Sequence, residues 1–207
     1  MDWYDQHVLP HLIDLACSTK ESRRQREKIV PLATGEVLEI GFGSGLNLAH
    51  YDSTRIEKIW ALEPSAGMRR KAAPLVEQSA LNVTFIDLPG EQIPLEDCSV
   101  DTVLVTYSLC TIPDAVAALE GMRRVLRPGG KLLFCEHGAA PDDKVRRWQE
   151  RLNGPWSKVA GGCHMNRDIP KLIEAAGFNI TSDSRMYIPG PKMLSYNYWG
   201  VAEALER

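Results

Sequence analysis

Val37-Leu38-Glu39-Ile40-Gly41-Phe42-Gly43-Ser44-Gly45 decides the fold. Four residues suited to a buried strand run into a turn with glycine at every second position. Glycine there leaves no Cβ between the backbone and an approaching ligand. Residues 46–50 are expected to begin a helix, whose free N–H groups would face a carboxylate or phosphate. Strand, glycine turn and helix in that order form the frame in which nucleotide-type ligands bind. Glu63 supplies a second element at the end of the next strand, expected over 58–62. A carboxylate in that place accepts hydrogen bonds from both hydroxyls of a ribose. Together the two elements point to an adenosine derivative.

Outward from this core the pattern alternates. Ser65 caps a helix expected to reach residue 77, and strands are expected over 83–86 and 101–106. A helix over 114–126 ends at Arg127-Pro128-Gly129-Gly130, a stop and tight turn, before a strand over 131–136. Mostly uncharged strands alternating with helices indicate a parallel sheet covered on both faces. The last third predicts a helix over 142–152, a mobile connection over 153–166 and a helix over 167–176 stopped by Gly177. Two strands, 178–188 and 196–202, follow around Pro189-Gly190-Pro191. The expected fold is therefore α/β: one doubly wound, mostly parallel sheet with an antiparallel C-terminal hairpin at its edge. Residues 1–30 read as an N-terminal helical cap and 31–207 as the main domain. Within the cap Val8, Leu9, Leu12, Ile13, Leu15 and Ala16 recur at helical spacing.

Composition bounds the function. The chain has 207 residues, 44% hydrophobic and 25% charged. That is one domain's worth of sequence, with enough material for a core and without the composition of a disordered or fibrous chain. A net charge of −3 provides no sequence-wide basic surface, so nucleic acid is not an expected partner. No run of about 20 apolar residues occurs, so no transmembrane segment is expected. Met1-Asp2-Trp3-Tyr4-Asp5 lacks the basic and apolar regions of a signal peptide. The five cysteines are odd in number and form no CxxC pair. They predict small buried residues in a reducing, cytoplasmic setting, with no disulfide framework and no metal site.

The loop reads GxGxG with an acid two residues ahead, not the GxGxxG of dinucleotide sites, and this disfavours a nicotinamide cofactor. It is similar to the first motif of the class I S-adenosylmethionine (SAM) methyltransferases. Glu91-Gln92-Ile93-Pro94-Leu95, the segment from Asp97 to Asp101, and Arg123-Arg124-Val125-Leu126-Arg127-Pro128-Gly129-Gly130 resemble further motifs of that superfamily, in its order. Downstream, Ser108-Leu109-Cys110-Thr111-Ile112, Phe134-Cys135-Glu136-His137, Gly162-Cys163-His164-Met165-Asn166-Arg167 and Ala175-Ala176-Gly177-Phe178 resemble the methyltransferase-like group that includes the alkyl thiol S-methyltransferases. Those relatives carry a hydrophobic N-terminal anchor where this chain has a polar helix.

The resemblance implies a Rossmann-like methyltransferase domain with SAM as cofactor. Glu39, Gly41, Gly43, Gly45 and Asn47 of the first loop would hold it, with Glu63, Pro64 and Ser65 at the second strand end. Pro89 occupies the place of an adenine-binding acid, so the adenine falls to backbone N–H groups near Gly90 and Glu91, or to Asp87. Thr106 and Tyr107 would line the methionine end. Tyr107 and His137, which follow strand ends facing the cofactor, are the candidates for catalysis, and His137 titrates in the range useful for proton transfer. Cys110, His137, Cys163, His164 and Arg167 are candidates for contacting the acceptor. The N-terminal helix with Trp3 and Tyr4 would cover the acceptor pocket, and His7 and His11 read as solvent-facing or lid residues. The expected activity is methyl transfer to a small, partly apolar acceptor, a thiol or hydrogen sulfide first, by a monomer or homodimer. A lipid amine, a quinone-type carbon or a hydroxyl are alternative acceptors, and a SAM-binding protein without catalysis is the alternative of another class.

Overall fold

The computed structural model describes residues 13–15 and 17–205. Seven strands form one sheet: β1 (Gly35–Ile40), β2 (Ile56–Leu62), β3 (Val83–Ile86), β4 (Val100–Thr106), β5 (Leu126–His137), β6 (Phe178–Tyr187) and β7 (Tyr196–Ala204). Their order across the sheet is β3-β2-β1-β4-β5-β7-β6. β1 pairs in parallel with β2 and β4, β2 with β3, and β4 with β5. β7 alone runs the other way, antiparallel to β5 and to β6 at the edge. Strand order reverses direction at β1 and β4, so a crevice opens beyond their C-terminal ends, where ligands of open α/β sheets bind.

Alternation along the central strands explains the two layers. Val37, Leu104 and Leu133 face one side and pack with Ile29 and Ala72. Their chain neighbours Leu38, Val103, Leu132 and Phe134 face the other and pack with Leu119 and Met122. Successive strand residues point to opposite faces, so a strand buried on both must be apolar throughout. From residue 20 onward the α-helices are α1 (Lys20–Ile29), α2 (Ala66–Glu77), α3 (Ala115–Val125), α4 (Asp143–Val159) and α5 (Ile169–Ala175). Thr19, Ser65 and Asp114 cap the first three, each accepting a hydrogen bond from a backbone N–H of the first turn.

Three local expectations are corrected. After the glycine loop there is only a single 3-10 turn, Leu48–His50, and no α-helix. The Asn47 side chain is committed to Glu39 and Thr106, and Asp52 turns the chain through Thr54. A few residues between those ties cannot cover the cost of helix nucleation. The Arg127-Pro128-Gly129-Gly130 stop is not a free turn but lies within β5. Leu126 pairs with Val100, and the ladder resumes at Lys131 opposite Thr102, with a register shift between Val100 and Thr102. The mobile connection expected over 153–166 is helical to Val159, because the inward stripe of Val145, Gln149, Leu152 and Trp156 runs on past Gly154. Pro155 falls on the exposed side, where the carbonyl that loses its partner meets water. The C-terminal hairpin lies where expected. Trp3, Tyr4, His7, His11 and most of the helical pattern over 8–16 lie outside the described residues.

Candidate active site

A cavity of about 540 Å³ lies at the C-terminal ends of β1, β2 and β4, within the size range of small-ligand sites. The glycine loop lines one part of it, and Tyr107, Thr111 and Gly162 line another. Pro64, Ser65, Gly90 and Glu91 line the side between them. Ile13, Asp14 and Cys17 close it from the N-terminal segment. Asp14 accepts from the Ser44 hydroxyl and pairs with Lys71 at 2.9 Å, so this wall is tied to the loop it covers.

The loop end is organised by two buried carboxylates. Glu63 Oε2 accepts the Gly43 N–H at 2.9 Å, and Oε1 accepts the Ser65 N–H at 2.8 Å. Burial raises its pKa, and those two backbone donors oppose the shift. Each oxygen keeps a further lone pair for a ligand hydroxyl. Glu39 lies behind the loop and not in the cavity lining. It accepts from Asn47 Nδ2 at 2.9 Å and from the Tyr51 hydroxyl at 2.6 Å, and burial pushes its pKa up to about 7. Glu39 therefore braces the loop through Asn47, whose Nδ2 also donates to Thr106 Oγ1 at 3.0 Å. Gly45 likewise packs inward, against Leu48 and Ala72.

These residues fit SAM. Gly43 has φ +60°, and a Cβ there would meet no atom closer than the Gly41 carbonyl oxygen at 3.8 Å, so the bare loop backbone faces the cavity. Asn47 Oδ1, on a cavity-lining residue, is buried without a partner. Asp87 instead pairs with Arg69 at 2.5 Å and is largely exposed, while Gly90 and Glu91 line the cavity.

The far end is built on loops. Tyr107 stands at φ +53°, a left-handed conformation uncommon for a bulky residue. Its N–H donates to the Cys135 carbonyl at 2.9 Å, its hydroxyl donates to Asn197 Oδ1 at 2.7 Å, and the Arg26 guanidinium sits 5.0 Å from its ring centre. Burial raises its phenol well above the usual range. Next to it, Glu136 Oε1 accepts the N–H groups of Ser108 and Leu109 at 2.7 and 3.1 Å.

Here the fold joins residues that the chain keeps far apart. His137 Nε2 lies 3.3 Å from Cys163 Sγ, and Cys110 completes a group whose donor atoms all lie within 4.8 Å of one another. The Cys110 thiol holds Cys163 down to about 4 against the opposing effect of burial, and His137 adds to the lowering. Burial works to lower His137, but Cys163 outweighs it and the imidazole is raised. All three are candidates for acceptor contacts from the sequence, where no ligand set is visible. Their separation hid the cluster, and only the pairing of the β4 loop with the turn after α4 creates it.

His164 and Arg167 serve the wall and not the cavity. The His164 N–H donates to the Cys110 carbonyl at 2.8 Å, and its ring Nδ1 meets Asn153 at 2.8 Å. The Arg167 guanidinium donates to the carbonyls of Leu109, Ile112 and Pro113. Gln149 was not singled out in the sequence. It is buried in α4, where its Nε2 lies 2.9–3.0 Å from three carbonyls, those of Gly138, Met165 and Met193, among which it shares its two protons, and its Oε1 accepts the Ala140 N–H at 2.9 Å. Its position on the inward stripe of the helix was the available signal.

Comparison with known proteins agrees with this geometry. Residues 38–134 match the family model described as a methyltransferase domain. The thiol S-methyltransferase TMT1B of Rattus norvegicus is 33% identical over 147 residues, 69% of this chain and 59% of that protein. The chain thus spans under two thirds of that relative's length. An O-methyltransferase of Pyrenophora dematioidea is 27% identical over 196 residues, covering 90% of this chain and 70% of the other. Among solved structures, an S-adenosylmethionine-dependent methyltransferase from Clostridium acetobutylicum has the same fold. Its TM-score is 0.65 at 12% identity, covering 95% of this chain and 97% of that one.

Proposed function

The chain carries a class I SAM-dependent methyltransferase domain and is related to the thiol S-methyltransferases, and from that premise we propose that it methylates a small, partly apolar thiol or hydrogen sulfide. The observation that carries this reading is the Cys110–His137–Cys163 group, which lies behind the cavity wall formed by the chain neighbours Thr111 and Gly162. Two sulfurs and an imidazole packed directly behind that wall suit a polarizable sulfur acceptor better than an amine or an alcohol.

Bound in the cavity, SAM supplies an activated methyl group that is transferred by in-line displacement. The chain's residues position and enclose. Glu63 takes the ribose hydroxyls, and the N–H groups near Gly90 and Glu91 take the adenine. Thr106 and Tyr107 border the methionine end, where the Tyr107 hydroxyl, already donating to Asn197, holds the ring in place without moving a proton. His137 acts at the acceptor's sulfur together with Cys163. Ile13, Asp14 and Cys17, within the segment expected to cap the site, form a wall of the cavity. Orienting two reactants in this way contributes on the order of 7–11 kcal/mol.

The test is a panel of alkyl and aryl thiols, hydrogen sulfide, phenols and amines, read as S-adenosylhomocysteine and methylated product. Thiols are expected to exceed every oxygen and nitrogen acceptor in kcat/KM. A phenol turned over faster than any thiol favours the second reading, O-methylation, which the Pyrenophora relative supports. Tight SAM binding with no product from any acceptor favours a binding protein without catalysis.

A further inference from the structure

We propose that Cys110, His137 and Cys163 bind one zinc ion and leave its fourth position open to the acceptor's sulfur. This deepens the thiol reading above and rests on it for the role of the open position, though not for the metal itself.

The donor set is the first argument. Two thiols and an imidazole suit zinc and similar thiophilic ions, not magnesium or calcium, which take oxygen ligands. Geometry is the second. Around tetrahedral zinc, a thiolate sulfur and an imidazole nitrogen stand about 3.6 Å apart and two sulfurs about 3.8 Å. The structure has His137 Nε2 3.3 Å from Cys163 Sγ, and all three donor atoms within 4.8 Å. Side-chain adjustments of about 1 Å or less would close the set.

The backbone behind each ligand is fixed from outside the cluster. The N–H groups of Ser108 and Leu109 on Glu136 hold the segment that carries Cys110. The His164 N–H on the Cys110 carbonyl, and Arg167 on Leu109, Ile112 and Pro113, bind the Cys163 turn to that segment. His137 ends β5, where it pairs with Asn197 in the sheet. Such outer ties keep metal ligands in place. No disulfide claims either thiol. His137 Nδ1 and Glu136 Oε2 are buried without partners, a donor and an acceptor not yet used.

Placement is the third argument. Thr111 and Gly162, the chain neighbours of Cys110 and Cys163, line the cavity, and so does Cys17. Three protein ligands with one position free is the pattern of catalytic zinc, whereas structural zinc is closed by four. A thiol that enters that position loses its proton to solvent, because a coordinated thiol is deprotonated outright. Its sulfur lone pair then forms the new S–C bond. The methyl's bond to the sulfonium breaks, its pair staying on the donor sulfur, and the product thioether, a weak ligand, leaves the metal.

The test uses the full chain, purified without chelator. Elemental analysis is expected to find about one zinc per chain. Cys110→Ser and Cys163→Ser should each lower zinc at least ten-fold while the Kd for SAM stays within two-fold, which also shows that the variants fold. Cobalt(II) added to the chelator-treated wild-type chain should give tetrahedral visible bands and sulfur-to-cobalt charge transfer. 2-Mercaptoethanol should then shift both as it takes the fourth position. Absence of zinc, together with only the spectrum of aqueous cobalt in a chain that binds SAM, overturns the site. So does full zinc content in both serine variants. Thiol methylation at an undiminished rate by the metal-free chain overturns the open position's role and leaves the S-methylation reading standing. Zinc at this site with no thiol methylated leaves the metal standing and overturns that reading, and with it the open position's role.

Discussion

The two ends of the cavity are built by opposite means. The glycine-loop end comes from one stretch of chain, residues 39–65, where Glu63 holds the backbone N–H groups of Gly43 and Ser65 and Glu39 braces the loop through the Asn47 side chain. The far end draws on β4, β5 and the turn after α4, and its reactive groups are side chains. Local sequence can specify the first, because a tight turn needs particular residues at particular places. The second exists only when three remote segments dock. The contrast suits a shared cofactor and a changeable acceptor.

The largest expected effect breaks the loop end alone. Gly43→Val puts a side chain where the loop backbone meets the cavity, at a φ of +60° that valine tolerates poorly. Calorimetric titration should show SAM binding weakened more than 100-fold, while circular dichroism stays close to that of the wild type. Arg167→Met is the counterpart at the far end. It removes charged donors to three carbonyls and should cost about 2–3 kcal/mol of stability in denaturant melts. The KM for the acceptor should rise while the Kd for SAM barely moves; equal losses in both would erase the distinction between the two ends.

Glu63→Ala comes next. The loss of hydrogen bonds to a buried carboxylate should weaken SAM by about 1–3 kcal/mol. Binding equal to the wild type would remove Glu63 from the ribose. The last effect concerns Glu39 and is read as a slope against pH. Its carboxyl is raised from the usual 4.5 to about 7 in the folded chain, so the folded state holds the proton more tightly than the unfolded one. Stability of the ligand-free chain should therefore fall as pH rises from about 4.5 to 7 and level off above. Glu136, which burial also raises to about 7, contributes in the same direction, so Glu39→Gln should reduce that slope without abolishing it, and an unchanged slope would assign it to Glu136 and other groups.

Much of this molecule was legible in its residues. The strands at 58–62, 83–86 and 101–106 and the Ser65 cap follow from apolar runs and a capping side chain, both local effects. The errors arose where a longer-range tie won. Asn47 spends its amide on Glu39 and Thr106, so no helix follows the glycine loop. The Val100–Leu126 pairing draws a Pro-Gly-Gly turn into β5. An inward-facing stripe centred on buried Gln149 carries α4 through Pro155. Glu39 and Gly45 were read as cofactor contacts from motif position, yet the fold sets both behind the loop as bracing.

The sequence by itself determined the alternating α/β order, the bare glycine loop and the carboxylate that faces it. Each rests on residues near in the chain whose conformational and hydrogen-bonding limits act locally. Tertiary structure alone decided that Cys110, His137 and Cys163 meet, and that His164 and Arg167 hold the wall that brings them together. Those contacts depend on the docking of segments far apart in sequence, and spacing along the chain carries no record of distance across the fold.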